Sequence, residues 1–270
     1  MTQADFRMPR CGVAGIHAVE ARTRRSFARH THEQFGLGVI MQGAHTSHSG
    51  RGKVEAARGD TITVNPGEVH DGAPVGGAER TWKILYFEPA IVGNISADIS
   101  EGKSSAYEFS FPVIRSGALA AHFHRLYAAV TGGGMNAQSL LCEESLLLLL
   151  ADARCARADA GKRLMVPAAI RTARALIDDD PCAAVSLEDL SRVTGLSRFQ
   201  VVRGFSRALG MTPHAYLIQR RIDAARRMIA HGSPLAEAAA GSGFADQSHM
   251  TRIFVRKYGI SPRAYADAIS

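Results

Sequence analysis

Short, largely apolar runs recur between polar and glycine-rich stretches from the amino terminus to about residue 113. Residues 38–41, 61–64 and 81–87 have strand character, and glycine-rich stretches at 49–52, 57–60, 65–67 and 76–77 separate them. Many short strands at close spacing predict a small β-barrel or sandwich. Beyond residue 115 the pattern is helical. Residues 116–157 predict two helices broken by Thr131, Gly132, Gly133 and Gly134. The second, from about Ala137 to Arg157, carries Leu140, Leu141, Leu147, Leu148 and Leu150 and is too apolar to stand alone on a surface. Residues 158–167, ending in Pro167, read as an exposed linker. The rest predicts seven helices. Ser186 and Asp189 have capping-box spacing, while Thr212-Pro213, Ser233-Pro234 and Ser261-Pro262 each set a cap before a proline. Gly195, Gly210, Gly232, Gly243 and Gly259 fall where helices should stop.

A single pattern occurs twice in this helical region. Residues 197–216 align without a gap on 246–265, and seven of the twenty positions are identical. Upstream, 187–196 falls on 235–244, with Ala245 as one extra residue in the second turn. In the first copy Val201, Phe205 and Ala208 share one helix face, so Arg203 points away from the core. In the second, Met250, Phe254 and Lys257 take the inner places and Arg252 points outward. An exposed arginine in mid-helix suits the two acceptors of guanine in the major groove. Arg207 and Arg256, a turn further on, suit phosphates. Arg198, Phe199 and Gln200 in the first copy, and Gln247, Ser248 and His249 in the second, occupy the first turn, which enters the groove. The helix between the units, about 18 residues and so about 27 Å long, matches one turn of DNA. Its Arg220, Arg221, Arg226 and Arg227 either contact phosphates or merely solvate the helix.

Charge agrees with this division. The net charge is +7, and residues 168–270 hold 14 Lys and Arg against 9 Asp and Glu, a surplus of 5. A basic surplus favours polyanions but does not alone identify nucleic acid. Cys11, Cys142, Cys155 and Cys182 lie too far apart for a zinc or redox motif and read as free thiols in a reducing cytoplasm. The first residues lack the apolar stretch of a signal peptide. Leu146 to Leu150 form a short run between Glu144 and Asp152, a buried or interfacial helix face and not a membrane span.

Residues 243–262 with Tyr265 closely resemble the signature of the AraC/XylS family of bacterial transcription regulators, and the resemblance covers 168–270. It implies a domain with two helix-turn-helix units that binds promoter DNA. Gly204 departs from the pattern, since a bulkier residue is usual inside the first recognition helix. Glycine there costs about 1 kcal/mol of helix stability and implies a softer, less discriminating helix.

A second resemblance lies in the front half. His30-Thr31-His32, Gly43, Gly59-Asp60 and the run from Asn65 to His70 resemble a cupin barrel, the ligand-binding domain of many AraC-type regulators. Metal-dependent cupins add a Glu in the first motif, but that position, seven before Gly43, is Gly36. His30, His32 and His70 then have three readings: a metal site, a pocket that hydrogen-bonds an organic effector, or polar residues of the rim and core. The effector pocket is the expectation, with no metal, no cofactor and a response that survives a chelator. Trp82, Ile84 and Tyr86 share a strand face. If it points inward, Trp82 and Tyr86 line the pocket; otherwise they are sheet packing. His45 and His48 lie near a turn and read as solvated.

The expected fold is α+β with two domains: a cupin-like β-barrel (1–115), a helical dimerisation segment (116–157), a linker (158–167) and an all-α double helix-turn-helix domain (168–270). The expected function is a cytoplasmic homodimeric regulator that binds promoter DNA and a small-molecule effector, engages RNA polymerase if it activates, and makes no membrane contact. The alternative is a metal-dependent cupin enzyme or metal sensor carrying a DNA-binding module. The absence of any nucleophile or P-loop motif argues against the enzyme.

Overall fold

Alternating residues of the front half zip into sheets. The computed structural model describes residues 5–132, 140–155 and 166–269. In chain order the strands are β1 (Asp5–Arg7), β2 (Ile16–Thr23), β3 (Phe27–His30), β4 (Phe35–Gln42), β5 (Ala44–Ser49), β6 (Gly52–Ala57), β7 (Thr61–Val64), β8 (His70–Pro74), β9 (Arg80–Phe87) and β10 (Val113–Ile114). A six-stranded sheet has the order β1-β2-β9-β4-β7-β10, and a four-stranded sheet the order β3-β8-β5-β6. The β2–β9, β4–β9 and β4–β7 ladders are antiparallel. Contacts divide the chain into two compact units, the first of residues 1–26, 32–68 and 72–161 and the second of residues 27–31, 69–71 and 162–270.

Because side chains alternate along a strand, each face of the large sheet has its own set. Ile16 and Ala18 of β2, Phe35, Leu37 and Val39 of β4, and Leu85 and Phe87 of β9 form one core face. Three helices cover it. Leu119, Phe123, Leu126 and Val130 of α2 (Gly117–Thr131) and Cys142, Leu146, Leu149 and Ala153 of α3 (Leu140–Cys155) follow the helical spacing and are buried there. The third, α1 (Pro89–Ile99), corrects the expectation that residues 1–113 are all β. Pro89 opens that helix at a position where its missing N–H costs nothing, and Val92 is fully buried in the core. On the opposite face, β4 and β9 approach closely. A Cβ at Gly38 would lie 2.6 Å from the Lys83 carbonyl oxygen and 2.8 Å from Ile84 Cβ.

The second unit contains, among the described residues, the seven expected helices: α4 (Ala168–Asp179), α5 (Leu187–Thr194), α6 (Arg198–Leu209), α7 (Pro213–Ala230), α8 (Leu235–Gly241), α9 (Gln247–Tyr258) and α10 (Pro262–Ile269). Ile170, Ile177, Leu190, Val201, Phe205, Tyr216 and Leu217 form the first core. Ala238, Ala239, Met250, Phe254 and Tyr265 are the corresponding buried residues of the second copy. α7 adds to both, with Tyr216 and Leu217 near its start and Ile222, Ala225 and Ile229 further on. Thr212 caps α7 as expected by accepting from the Ala215 N–H. The Ser233-Pro234 pair behaves differently: α8 starts at Leu235, Pro234 is its cap, and no side chain caps it. The linker expected at 158–167 and the start of the helix expected at Ala137 lie outside the described residues, apart from positions 166 and 167.

Candidate DNA interface and sensory face

The recognition helices α6 and α9 are started by side chains. The Ser197 hydroxyl accepts from the Gln200 N–H, and Gln200 Oε1 accepts from the Ser197 N–H, closing a capping box over the first turn. Asp246 Oδ1 accepts from the His249 N–H at 2.6 Å. Both helices end at a glycine with positive φ, Gly210 at 71° and Gly259 at 79°. With both ends matched, the copies present equivalent faces.

The inner positions are as expected. Val201, Phe205, Met250, Phe254 and Lys257 are buried, and Ala208 is partly so. Outward stand Arg203 and Arg207 on α6 and Arg252 and Arg256 on α9, all exposed. Gln200, Gln247 and Ser248 are exposed in the first turns. Phe199 is 70% exposed, an unusual state for a phenylalanine. Arg198 pairs with Glu188 at 2.9 Å, an exposed contact that binds weakly and yields readily to a phosphate. His249 is half-buried, its ring edge-on to Phe244 with centroids 5.3 Å apart, so it is turned partly toward the core.

The arginines of α7 divide in a way the sequence left open. Arg220 Nε lies 2.9 Å from Asp178 Oδ1, and its Nη1 3.4 Å from Asp223 Oδ2. Arg221 donates to the carbonyls of Pro181 and Ala183. Arg226 is buried, with its guanidinium 5.5 Å from the Tyr258 ring centroid. These three brace the helical core; Arg227 alone of the four is exposed. Asp178 also accepts from the Tyr216 hydroxyl at 2.8 Å. Burial first, and then this bond, push the Tyr216 pKa up to about 12.

In the front half, the even-numbered residues of β9 point away from the helical core. Tyr86 and Trp82 stand there with buried Ile84 and Arg80. His30 ends β3, His32 follows two residues later, and His70 opens the neighbouring strand β8. The His30 and His70 rings have centroids 4.4 Å apart. The Tyr86 hydroxyl is 3.5 Å from His32 Nε2, and the two ring centroids are 4.8 Å apart. Tyr86 therefore stands with His32. Trp82 stands instead beside His45, with ring centroids 6.2 Å apart. His45 is thus not solvated, as its turn position suggested. Its ring packs over Gly72, where a Cβ would come within 2.7 Å of Cε1. His48 is exposed, as expected. Arg80 was not singled out from sequence. It is fully buried, 5.0 Å from the Trp82 ring centroid, and burial lowers its pKa to about 10. Only the alternation along β9 could have flagged it.

These features define a class: a sensory β domain joined to a double helix-turn-helix that reads DNA. Residues 13–150 match the family model of the AraC-like ligand binding domain, and residues 190–268 match that of a helix-turn-helix domain. The chain belongs to the AraC family of transcription regulators; it is a regulator and not an enzyme. It is 27% identical over 229 residues to the uncharacterized HTH-type transcriptional regulator YbfI of Bacillus subtilis, covering 84% of this chain and 82% of that protein. It is 33% identical over 90 residues to the HTH-type transcriptional activator RhaS of Escherichia fergusonii, covering 33% of this chain and 32% of that one. Among solved structures, ToxT from Vibrio cholerae O395 matches with a TM-score of 0.57 at 10% identity, covering 95% of this chain and 98% of that one. ToxT bound to (E)-4-(8-methylnaphthalen-1-yl)but-3-enoic acid matches with a TM-score of 0.53 at 11% identity over 100% of both chains.

Proposed function

We propose that this regulator senses a small molecule through His30, His32, His70 and Tyr86, with Trp82 at the same β9 face, and reads its promoter through α6 and α9. The pairing of the His32 imidazole with the Tyr86 phenol carries the sensory half of the reading. A few polar groups meeting on an apolar sheet face are the usual makings of a ligand site. ToxT, which has this fold, has been solved with a small carboxylic acid bound and with an unsaturated fatty acid bound. Arg203 and Arg252 are the proposed base-reading residues; Phe199, Gln200, Gln247, Ser248 and His249 flank them, and Arg198, Arg207 and Arg256 take phosphates. The proposed boundaries remain 1–115 for the sensory domain, 116–157 for a dimerisation segment, 158–167 for a linker and 168–270 for the DNA-binding domain.

In this reading the protein is a cytoplasmic homodimer, and it meets RNA polymerase at promoters it activates. No described helix is long and apolar enough to cross a membrane. The test is a thermal-shift screen of the full chain against metabolites, followed by promoter gel shifts with each hit. A true effector stabilises in proportion to the logarithm of its concentration and alters promoter binding. His70→Ala is expected to abolish that response while leaving basal DNA binding intact. A response unchanged in His32→Ala and His70→Ala would move the sensory site elsewhere.

A further inference from the structure

We infer that Phe199 is a specificity-determining residue that contacts the C5 methyl of a thymine in the major groove, within about two base pairs of the guanine bound by Arg203. The inference rests on the reading of α6 as a base-reading helix and deepens it by naming the base that its first turn selects.

Exposure is the first support. Phe199 is 70% exposed, whereas Val201 and Phe205 of the same helix are fully buried. Phenylalanine is ordinarily a core residue, and here it forfeits the burial that would favour it. The fold does not ask for it. Ser197 and Gln200 start α6 through their capping box, and phenylalanine is a weaker helix former than Leu, Arg or Gln. The second copy makes the same point. Ser248 is exposed at the aligned position of α9, a helix of equal length with a side-chain cap and a glycine stop of its own. An aromatic ring is therefore not required to build the unit.

Placement is the second. Phe199 and Arg203 are four residues apart on one face of α6, with Phe199 about 6 Å nearer the N-terminus along the axis. That distance spans about two base pairs. The other two side chains of the first turn are engaged. Arg198 Nη2 lies 2.9 Å from Glu188 Oε2, and Gln200 Oε1 accepts from the Ser197 N–H at 2.9 Å. The Gln200 oxygen, which would accept from adenine in a bidentate pair, is thus held by the cap.

Chemistry is the third. A neutral ring gains nothing from phosphates. Most groups on the base edges are hydrogen-bond donors or acceptors, which an aromatic ring would only desolvate. The thymine methyl is the apolar exception in the major groove. Contact between ring and methyl buries apolar surface on both partners. With a serine in place of the ring, α9 lacks this preference, so the two helices select different half-sites around a guanine common to both.

The test uses the full-length protein and a duplex that it enriches from a random-sequence library. Each thymine of the enriched site is replaced in turn by deoxyuridine, which removes the methyl and keeps every hydrogen-bonding group. At one position wild type is expected to bind about 4-fold more weakly, the loss of one buried methyl. Phe199→Ser, which copies the second helix, should bind the thymine and deoxyuridine duplexes equally. The ring is mostly exposed, so the variant is expected to fold, which circular dichroism checks. Wild type that binds every deoxyuridine duplex undiminished would overturn the inference and leave the ring as a contact for another protein. A Phe199→Ser variant that still discriminates would overturn it too. Enrichment of no duplex at all would be a different failure, that of the base-reading function on which the inference rests.

Discussion

Gly204 on α6 faces Ile170 on α4 so closely that a Cβ at Gly204 would lie 2.7 Å from Ile170 Cδ1. In sequence, this glycine read as a soft spot in the first recognition helix. It marks instead the place where α4 seats against that helix, and Ile170 is 1% exposed there. Gly204→Ala would gain about 1 kcal/mol of helix propensity. Crowding a packed core costs about 1–3 kcal/mol. Net destabilisation of about 1 kcal/mol is therefore expected in urea unfolding. Ile170→Val removes the crowding methyl and should restore much of that loss, so the double variant should be more stable than the sum of the singles implies. Strict additivity would show that the two residues do not meet.

Arg203 and Arg252 occupy equivalent exposed places on helices with matched caps and stops. Arg252→Ala is expected to lower affinity for the specific promoter site by about 1–3 kcal/mol, with a much smaller effect on random DNA. With α6 seated on Ile170, Arg203→Ala should cost as much and not less. Competition gel shifts at fixed salt measure both. Equal losses on specific and random DNA would mean that these side chains touch only phosphate.

Much of this architecture is legible in the sequence. The repeat, the seven helices and the outward arginines follow from local periodicity and capping chemistry, which act within a few residues. Partners set by tertiary packing are not legible there. Arg220 and Arg221 read as phosphate contacts or as charge that solvates the helix, yet Asp178 and the carbonyls of Pro181 and Ala183 stand beside them. α1 is hidden because its Pro89 closes a run of strands and resembles a turn. Sequence spacing cannot show which residue on the next strand stands opposite Gly36. Cross-strand register with Tyr86 decides that, and register is a property of the sheet.

The cap of α5 gives a pH prediction. Asp189 accepts from the Ser186 hydroxyl at 2.6 Å and from the Ser186 N–H at 3.0 Å, and Arg192 adds a contact at 2.6 Å. The Ser186 bonds first, and Arg192 after them, lower its pKa from 3.8 to about 2. The folded state thus favours the charged form. Its contribution is complete above the ordinary value and is lost as pH falls through about 2. Titration of the Asp189 carboxyl carbon by NMR should show a midpoint near 2. Ser186→Ala should move it back toward 3.8. A midpoint already at the ordinary value in wild type would mean that the capping box is not formed in solution.

α3 supplies the prediction about assembly. Leu146, Leu149 and Leu150 are buried in the core it shares with α2, which accounts for most of the leucine run. Leu147 is left 38% exposed, and Leu148 is half-buried. The sequence points to either residue as a probe of a dimer interface. Burial separates them, because Leu147 is the more exposed and Leu148 is already half-buried within the single chain. Leu147→Glu replaces an apolar contact worth about 1.5–3 kcal/mol when fully buried with a charge that must be desolvated. The variant should stay folded and weaken self-association by about 10–100-fold. Sedimentation at micromolar concentration reads this directly, with wild type running as a dimer and Leu147→Glu as a monomer with an unchanged circular dichroism spectrum. Wild type that sediments as a monomer both with and without promoter DNA would remove the homodimer from the proposed function.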